Sequence, residues 1–425
     1  MSRRFTLPRF TPRLAAALLG LAATLGHAQI QLAGITETQG PGAPAGTSFK
    51  NGYLLAMEEV NASGGVLGQK LVMAQFDIDT KPEAALDATT KAVAGKPFAI
   101  LGPIFSGDTL AAMPASASSG IPHFTGGEAA SLTRKFHPSL LRTSLSQSGS
   151  APRLGSLATY GLGVKKLGMI SIDNDFGRDG KAALQAIIKR RGATVDFDEA
   201  IKPGEKDFSG VVSHLKAAHV EALLFYVTEA ESIGLLKELR KQGFDKPIVT
   251  DGLVAGQKVI DGVGAAGMEG VLVHMNASID APVPQMLAFA NRYEKKYGTR
   301  PDQNGIKGFF AVQLIKAGIE TAGKVDTALF LKTLRDTRFD NRHHPELLSP
   351  ISYDLFGDLN RESYFAVIRE GRPHIFASIR AADGGFVEVA GGRQIALNSN
   401  EFRTELASAQ TGSAPAAAAA RKSAK

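Results

Sequence analysis

The sequence contains no cysteine among its 425 residues. Without thiols the chain can form no disulfide, no thiolate metal site and no cysteine nucleophile. Its stability must therefore come from packing, even in an oxidising compartment. The composition, 44% hydrophobic and 21% charged, is that of an ordinary globular protein. Because the length exceeds what one hydrophobic core usually holds, the sequence predicts two domains.

The body of the chain also lacks net charge. The formal charge is +7, but four arginines lie within residues 1–13 and three basic residues lie within residues 421–425. Neither end segment contains an acid, so residues 14–420 are formally neutral. A neutral body offers no electrostatic footprint for DNA or RNA, and we expect no nucleic-acid partner.

The apolar run near the N-terminus is too short to cross a membrane. Residues 1–28 combine a basic start, an apolar run from Leu14 to Leu25 and small residues around His27. This pattern predicts a cleavable secretory signal peptide and a periplasmic protein. A run of about 12 residues cannot span a core that needs about 20. Residues 2–4 resemble a twin-arginine signal only weakly, because residues 6 and 7 depart from that pattern, so both export routes remain open.

Enzyme and cofactor motifs are incomplete throughout. Residues 213–216 match S-x-x-K without its partner motifs, and residues 161–166 lack the third glycine of a dinucleotide loop. The aspartates within 173–179 lack the turn glycine and a ligand of a calcium loop. The sequence HHPE at 343–346 lacks metal-ligand spacing. We therefore assign no catalytic residue, metal or cofactor and expect no enzyme; catalysis would need a nucleophile or metal cluster that the sequence does not reveal.

Apolar runs and helical stretches alternate along the chain, and residues 46–72 show this best. Phe49, Tyr53, Met57 and Val60 recur at helical spacing and line one apolar face. The glycines at 64 and 65 suit a left-handed helix end, and residues 70–77 are typical of a strand. With the strand predicted at 30–35, this segment forms a βαβ unit.

The same alternation continues in two sets, which predicts two doubly wound parallel-sheet lobes. The predicted strands are 30–35, 70–77, 98–101 and 121–124 in the first set, and 167–172, 194–200, 222–227 and 248–251 in the second. The predicted helices lie between these strands, and two more cover residues 284–297 and 306–321.

Five motifs occur in the order and spacing of a known family. They are NASGGVLGQKL at 61–71 followed by Asp77, LGP at 101–103, LRT at 141–143, DFG at 175–177 and GEKDF at 204–208. Together they resemble the leucine/isoleucine/valine-type periplasmic binding proteins of ABC importers, over roughly residues 30–370.

The resemblance implies an α/β, type I periplasmic-binding-protein fold in which three strands form a hinge between the lobes. The expected division is a signal peptide at 1–28, an N-terminal lobe at 29–146 plus 276–355, a C-terminal lobe at 147–275 plus 356–390, and a low-complexity tail at 391–425. The chain would cross between lobes near residues 146, 275 and 355. A monomer is expected, with an ABC transporter permease in the inner membrane as its partner.

Ligands of open α/β sheets bind at the carboxyl ends of the strands, and two such loops belong to the first lobe. In the family, a serine at the position of Ser106 holds the ligand carboxylate, although Ser106 could instead cap the helix that follows. Gly127 and Glu128 lie in the second loop, where the family binds carboxylate and ammonium. Ala129 stands where a threonine is common, so Glu128 either pairs with the ammonium or is a solvated carboxylate.

The second lobe contributes three further candidates. Phe176 occupies the position of an aromatic residue that covers the ligand in the family. Thr228 stands where the family often has a tyrosine. Asp251 lies one residue before the position of the family's acid, which Gly252 takes here. The pocket is therefore expected to differ from that of a leucine receptor.

The expected function is a receptor that closes on a hydrophobic amino acid or similar small carboxylate and delivers it to an ABC importer. A receptor for an aromatic or other organic acid, or an amide, and a sensory protein that presents its ligand to a membrane receptor remain open. An amino acid brings an ammonium that needs a buried acid, and Asp251 and Glu128 are the candidates.

Overall fold

The computed structural model describes residues 29–135, 137–380 and 385–413. Its strands form two large sheets and one small hairpin. In chain order the strands are β1 Gln29–Glu37, β2 Lys70–Ile78, β3 Ala99–Leu101, β4 His123–Thr125, β5 Leu140–Arg142, β6 Lys166–Ile172, β7 Thr194–Ile201, β8 Ala222–Tyr226, β9 Ile248–Asp251, β10 Leu272–Met275, β11 Ile351–Tyr353, β12 Leu359–Arg361, β13 Ser363–Arg369, β14 Arg372–Ile379, β15 Phe386–Val389 and β16 Arg393–Ala396.

Helices connect most of these strands. In chain order they are α1 Ala43–Ala62, α2 Pro82–Ala94, α3 Ser106–Ser116, α4 Ser131–Arg134, α5 Gln147–Ser156, α6 Asp175–Arg190, α7 Ser209–Ala217, α8 Glu229–Lys241, α9 Gln257–Val263, α10 Ala265–Met268, α11 Pro284–Tyr297, α12 Gln303–Ala322, α13 Thr327–Asp336 and α14 Asn400–Thr411. None of the helices in the described ranges is both long and apolar enough to cross a bilayer.

The first lobe is built on a parallel sheet with the strand order β2-β1-β3-β4-β5. The predicted βαβ unit is present: Phe49, Tyr53, Met57 and Val60 are buried on α1. Gly65, at φ +84°, donates its N–H to the Val60 carbonyl at 2.8 Å, as the glycine pair predicted.

The second lobe is built on a mixed sheet with the order β16-β15-β14-β13-β10-β9-β8-β6-β7. The strands from β7 to β10 are parallel, as expected, whereas β13 to β16 run antiparallel beside them. The prediction of a low-complexity tail from residue 391 is wrong as far as residue 413, because β16 and α14 occupy that segment and bury Phe402 and Leu406 in the second core. The rest of that tail and the expected signal peptide lie outside the described residues.

Three crossings join the two lobes. The chain leaves the first sheet after β5, returns after β10, and leaves again between β12 and β13. The third crossing falls near residue 362 rather than near 355, because the β11–β12 hairpin buries Ile351, Tyr353 and Leu359 in the first core. Neighbouring crossings contact each other: the Arg361 Nε donates to the Asn276 carbonyl at 3.0 Å.

Helix α12 packs tightly against α1 and returns the chain to the first lobe. A Cβ added at Gly308 would lie 2.0 Å from the Phe49 carbonyl oxygen, so only glycine allows this approach. At the start of α12, the Ser48 hydroxyl donates to the helix-capping carboxylate of Asp302 at 2.6 Å. These contacts fix the first two turns of α12, which point toward the second lobe.

Candidate functional site

The predicted serine lies where two strand-end loops of the first lobe meet. Ser106 begins α3 but does not cap it with its side chain. Its buried hydroxyl oxygen instead accepts the backbone N–H groups of Glu128 and Ala129, at 3.2 and 3.1 Å. Because the oxygen only accepts in these contacts, the hydroxyl proton remains available for another acceptor.

Arg142, whose guanidinium is fully buried, holds the loop after β4 in place. It donates to the carbonyls of Gly127 at 2.7 Å and Ala129 at 2.8 Å, and forms an ion pair with Asp358. The N–H of Gly127 donates to the Thr125 hydroxyl at 2.9 Å. The backbone donors that the family resemblance assigns to the ligand are thus used within the first lobe in this conformation.

Glu128 is the central carboxylate of the site. It is 2% exposed and forms an ion pair with the equally buried Lys307, with 2.9 Å between Nζ and Oε1. The Gln303 amide donates to the same oxygen at 3.2 Å. The other oxygen, Oε2, has no hydrogen-bond partner among the described residues. Glu128 is therefore buried, contrary to the alternative of a solvated carboxylate.

Asp251 approaches from the second lobe and is 1% exposed. Its Oδ1 accepts the N–H of Leu253 at 3.0 Å, while its Oδ2 is unpaired within the described ranges. Burial raises the pKa of Asp251 to about 8; the Glu128 carboxylate also raises it, and the Lys307 ammonium lowers it. The two predicted acids thus lie close enough to act on each other across the cleft.

Phe176 lies in the first turn of α6, and it is buried rather than exposed on a loop. Its ring stacks on Tyr226, with centroids 4.6 Å apart and planes at 17°. The Gln147 amide nitrogen donates to the Phe176 carbonyl at 2.7 Å and to the Tyr226 hydroxyl at 3.2 Å. The Gln147 amide oxygen accepts the N–H of Ala130 at 3.2 Å, which connects this aromatic pair to the first lobe.

Thr228 is the predicted residue least connected to this cluster. It precedes α8, and its hydroxyl donates to Glu231 within the second lobe. Its neighbour Glu229 does reach the first lobe, where it accepts the Asn304 amide at 3.0 Å. A second contact across the cleft joins the Ser131 N–H to Asp179 at 2.8 Å. The lobes are thus closed on each other in this structure.

Sequence reasoning missed the polar residues that come from elements other than the expected loops. These residues are Arg142, Gln147, Tyr226, Gln303 and Lys307. One signal was present: Gln303 and Lys307 stand one helical turn apart, and Lys307 is the only polar side chain between Ile306 and Val312. A buried lysine in such a helix needs a partner and so indicates a site.

A separate cluster of possible metal ligands includes His344, the second histidine of residues 343–346. The ligand atoms of Glu320, His344 and Glu346 lie within 4.8 Å of one another. The Lys316 ammonium already contacts both carboxylates, at 2.8 and 3.0 Å. This lysine bridges the two carboxylates and balances one of their two negative charges, so the cluster has a structural explanation and we assign no metal to it.

Comparison with known proteins agrees with this architecture. The model of the family described as "Periplasmic binding protein" matches residues 29–373. The chain is 30% identical over 364 residues to the Leu/Ile/Val-binding protein BraC3 of Rhizobium johnstonii, which covers 84% of this chain and 96% of that protein.

Two solved structures share the fold. A branched-chain amino acid transporter substrate binding protein, LivJ, from Streptococcus pneumoniae in complex with isoleucine has a TM-score of 0.73 at 21% identity, covering 83% of this chain and 99% of the other. A solute binding protein of an ABC transporter from R. palustris in complex with benzoate has a TM-score of 0.75 at 17% identity, covering 86% and 98%. The expected two-lobed, type I fold is confirmed, as is the family resemblance: the chain belongs to the periplasmic binding protein family.

Proposed function

We propose that this protein is the substrate receptor of an ABC importer and that it binds an amino acid between its lobes. The observation that carries the proposal is a set of three buried acceptor atoms without partners in the described chain: Glu128 Oε2, Gln303 Oε1 and Asp251 Oδ2. The first two come from the first lobe and the third from the second.

Unpaired buried acceptors destabilise a protein unless a donor reaches them. An α-ammonium group supplies three N–H donors and a positive charge between two acids. Such a ligand would contact both lobes at once, so its binding favours the closed conformation. The stacked rings of Phe176 and Tyr226 give the neighbouring part of the cleft an apolar character.

The second candidate is a receptor for an aromatic or other organic acid. The benzoate complex with the same fold supports it. An organic acid without an ammonium, however, brings no positive charge to the two acids Glu128 and Asp251. The amino-acid hypothesis accounts for more of the site, and the 30% identical Leu/Ile/Val-binding relative points the same way.

Family membership and the sequence support the remaining parts of the proposal. Residues 1–28 act as an export signal, the mature protein works in the periplasm as a monomer, and a membrane permease receives the closed complex. The protein catalyses no reaction. A sensory role would use the same cleft, and a pull-down of membrane partners separates that role from transport.

A ligand screen tests the proposal first. Thermal unfolding is measured with a panel of amino acids and organic acids, because a ligand that binds only the folded state must raise the midpoint. We expect at least one hydrophobic amino acid to raise it. A response to organic acids alone would replace the amino-acid hypothesis with the alternative, and no response across the panel would contradict both.

Substitution of the two acids tests the assigned contacts. Glu128→Gln and Asp251→Asn are each expected to cost roughly 3 to 5 kcal/mol of binding free energy, about two to three and a half decades in Kd, because the ammonium is left without its charged partner. Asp245→Asn is the matched control, since this carboxylate is 80% exposed on the second lobe. If both cleft variants bind the amino acid as tightly as the parent, the assignment fails.

A further inference from the structure

We propose that Lys307 binds the ligand carboxylate and thereby makes the receptor selective for free amino acids over their neutral carboxamides. This inference rests on the proposed function, since it assigns the second charged group of the same ligand. It concerns a residue of α12, outside the strand-end loops that the sequence analysis singled out.

The first lobe offers few other hydrogen-bond donors to a ligand carboxylate. The N–H groups of Gly127, Glu128 and Ala129 are donated to the hydroxyls of Thr125 and Ser106. The carboxylate of a ligand therefore cannot be held by these backbone groups without breaking contacts inside the lobe. The Ser106 hydroxyl proton is one donor left for it, but a neutral hydroxyl does not compensate a buried negative charge.

Lys307 lies buried beside the Glu128 carboxylate with an N–H donor to spare. Its side chain is 4% exposed, and Nζ contacts Glu128 Oε1 at 2.9 Å and the Gly126 carbonyl at 3.3 Å. An ammonium has three N–H donors, and the longer contact to Gly126 is the weaker of the two. At least one donor of Lys307 is thus available to a ligand. The Lys307 ammonium lowers the pKa of Asp251 and of Glu229, two acids of the second lobe, which supports an orientation of this lysine toward that lobe.

Helix α12 holds Lys307 in a fixed position. The Asp302 cap and the Gly308 contact dock the first two turns of α12 onto α1. Lys307 lies between these two anchors, and the Glu128 ion pair holds its far end. A charge fixed in this way loses little conformational entropy on binding and favours a carboxylate at one distance from the ammonium site.

A purely structural role for Lys307 would be to neutralise Glu128. The two roles differ in one measurable respect. If Lys307 only neutralises Glu128, its removal affects ligands with and without a carboxylate alike. If it binds the carboxylate, its removal abolishes the difference between them.

Calorimetric titration of the parent protein with L-leucine and L-leucinamide makes this comparison. The two compounds share the ammonium and the side chain and differ in the carboxylate. We expect the parent to prefer leucine by roughly ten- to a hundredfold, the range of one charge-assisted hydrogen bond. In Lys307→Met this preference should vanish, through weaker leucine binding and an amide affinity changed by less than about threefold.

Two further variants complete the test. Lys307→Arg keeps the charge and should restore most of the preference even if the methionine variant is unstable. Lys316→Met, on the same helix but paired with Glu320 and Glu346, should leave it unchanged. A preference that survives in Lys307→Met overturns the inference while the amino-acid receptor stands; the same holds if both affinities fall equally. A parent protein that binds neither leucine nor any other amino acid of the thermal-unfolding panel contradicts the proposed function itself.

Discussion

At the residue scale, Asp251 links ligand binding to pH. In the closed cleft, burial and the Glu128 carboxylate raise the pKa of Asp251 to about 8, so the closed, ligand-free receptor holds it largely protonated at neutral pH. A ligand ammonium stabilises the ionised form, so binding to this closed form releases a proton. Affinity for the amino acid should therefore rise as the pH increases from 6 toward 8 and level off above that pKa.

Isothermal titration in two buffers with different ionisation enthalpies measures the released protons directly. We expect a fraction of one proton per ligand at pH 7 in the parent protein and none in Asp251→Asn. Lys307 and Glu128 also face the Asp251 carboxyl. Equal proton release by the parent and by Asp251→Asn would therefore show that a group other than Asp251 loses the proton.

The residues that sequence reasoning found are those at the ends of parallel strands. Ser106 and Glu128 follow buried strands and Asp251 ends one, and the carboxyl ends of parallel strands lie at the same edge of a sheet. Lys307 and Gln147 could not be found in this way. They come from helix N-terminal turns whose distance from the cleft depends on where the chain crosses between lobes, which local periodicity does not encode.

At the element scale, the close contact of α1 and α12 positions the lysine. In Gly308→Ala the new Cβ would lie 2.0 Å from the Phe49 carbonyl, so the helices must separate. We expect a loss of about 1 to 3 kcal/mol in unfolding free energy, the usual cost of overpacking. We also expect weaker ligand binding, because the neighbouring Lys307 moves with the helix.

Gly210→Ala is the matched control for this change. Gly210 lies in helix α7, is exposed, and has open space around the position of a Cβ. Alanine there should stabilise the helix by roughly 0.5 to 1 kcal/mol. Urea denaturation of both variants gives the two free energies, and similar values for them would contradict the packing argument.

The elements themselves were predictable where a single pattern was long. Helix α1 has four apolar residues at helical spacing and a glycine stop, so its identity and its end followed from the sequence. The antiparallel strands β13 to β16 were not predictable in this way. Six of the eight residues of β14 are at least partly exposed. Gly391 and Gly392 turn the chain in the left-handed region between two strands of four residues each, a pattern that resembles an irregular tail.

At the scale of the whole molecule, we expect the three crossings to act as a hinge. The contacts that close the cleft are few, such as Asn304 with Glu229 and Ser131 with Asp179, whereas each lobe has its own core. Without ligand, the unpaired acceptors Glu128 Oε2 and Asp251 Oδ2 favour opening, because water can then reach them.

Small-angle X-ray scattering should therefore show a smaller radius of gyration at saturating ligand than without ligand. Glu128→Gln at the same ligand concentration serves as the non-closing control. Superimposable profiles for the parent with and without ligand would exclude hinge closure as the mechanism.

The order in which the lobes are built along the chain affects how the protein is made. The first core includes residues from both β1 and the β11–β12 hairpin, so it stays incomplete until residue 359 has been synthesised, while the second core also needs the strands from residue 363 onward. Neither lobe can finish folding on a ribosome-bound fragment that ends before its last segment. A chain so interleaved can complete both cores only when nearly its whole length is available, so if residues 1–28 direct the export of an unfolded chain, the cores are completed after translocation.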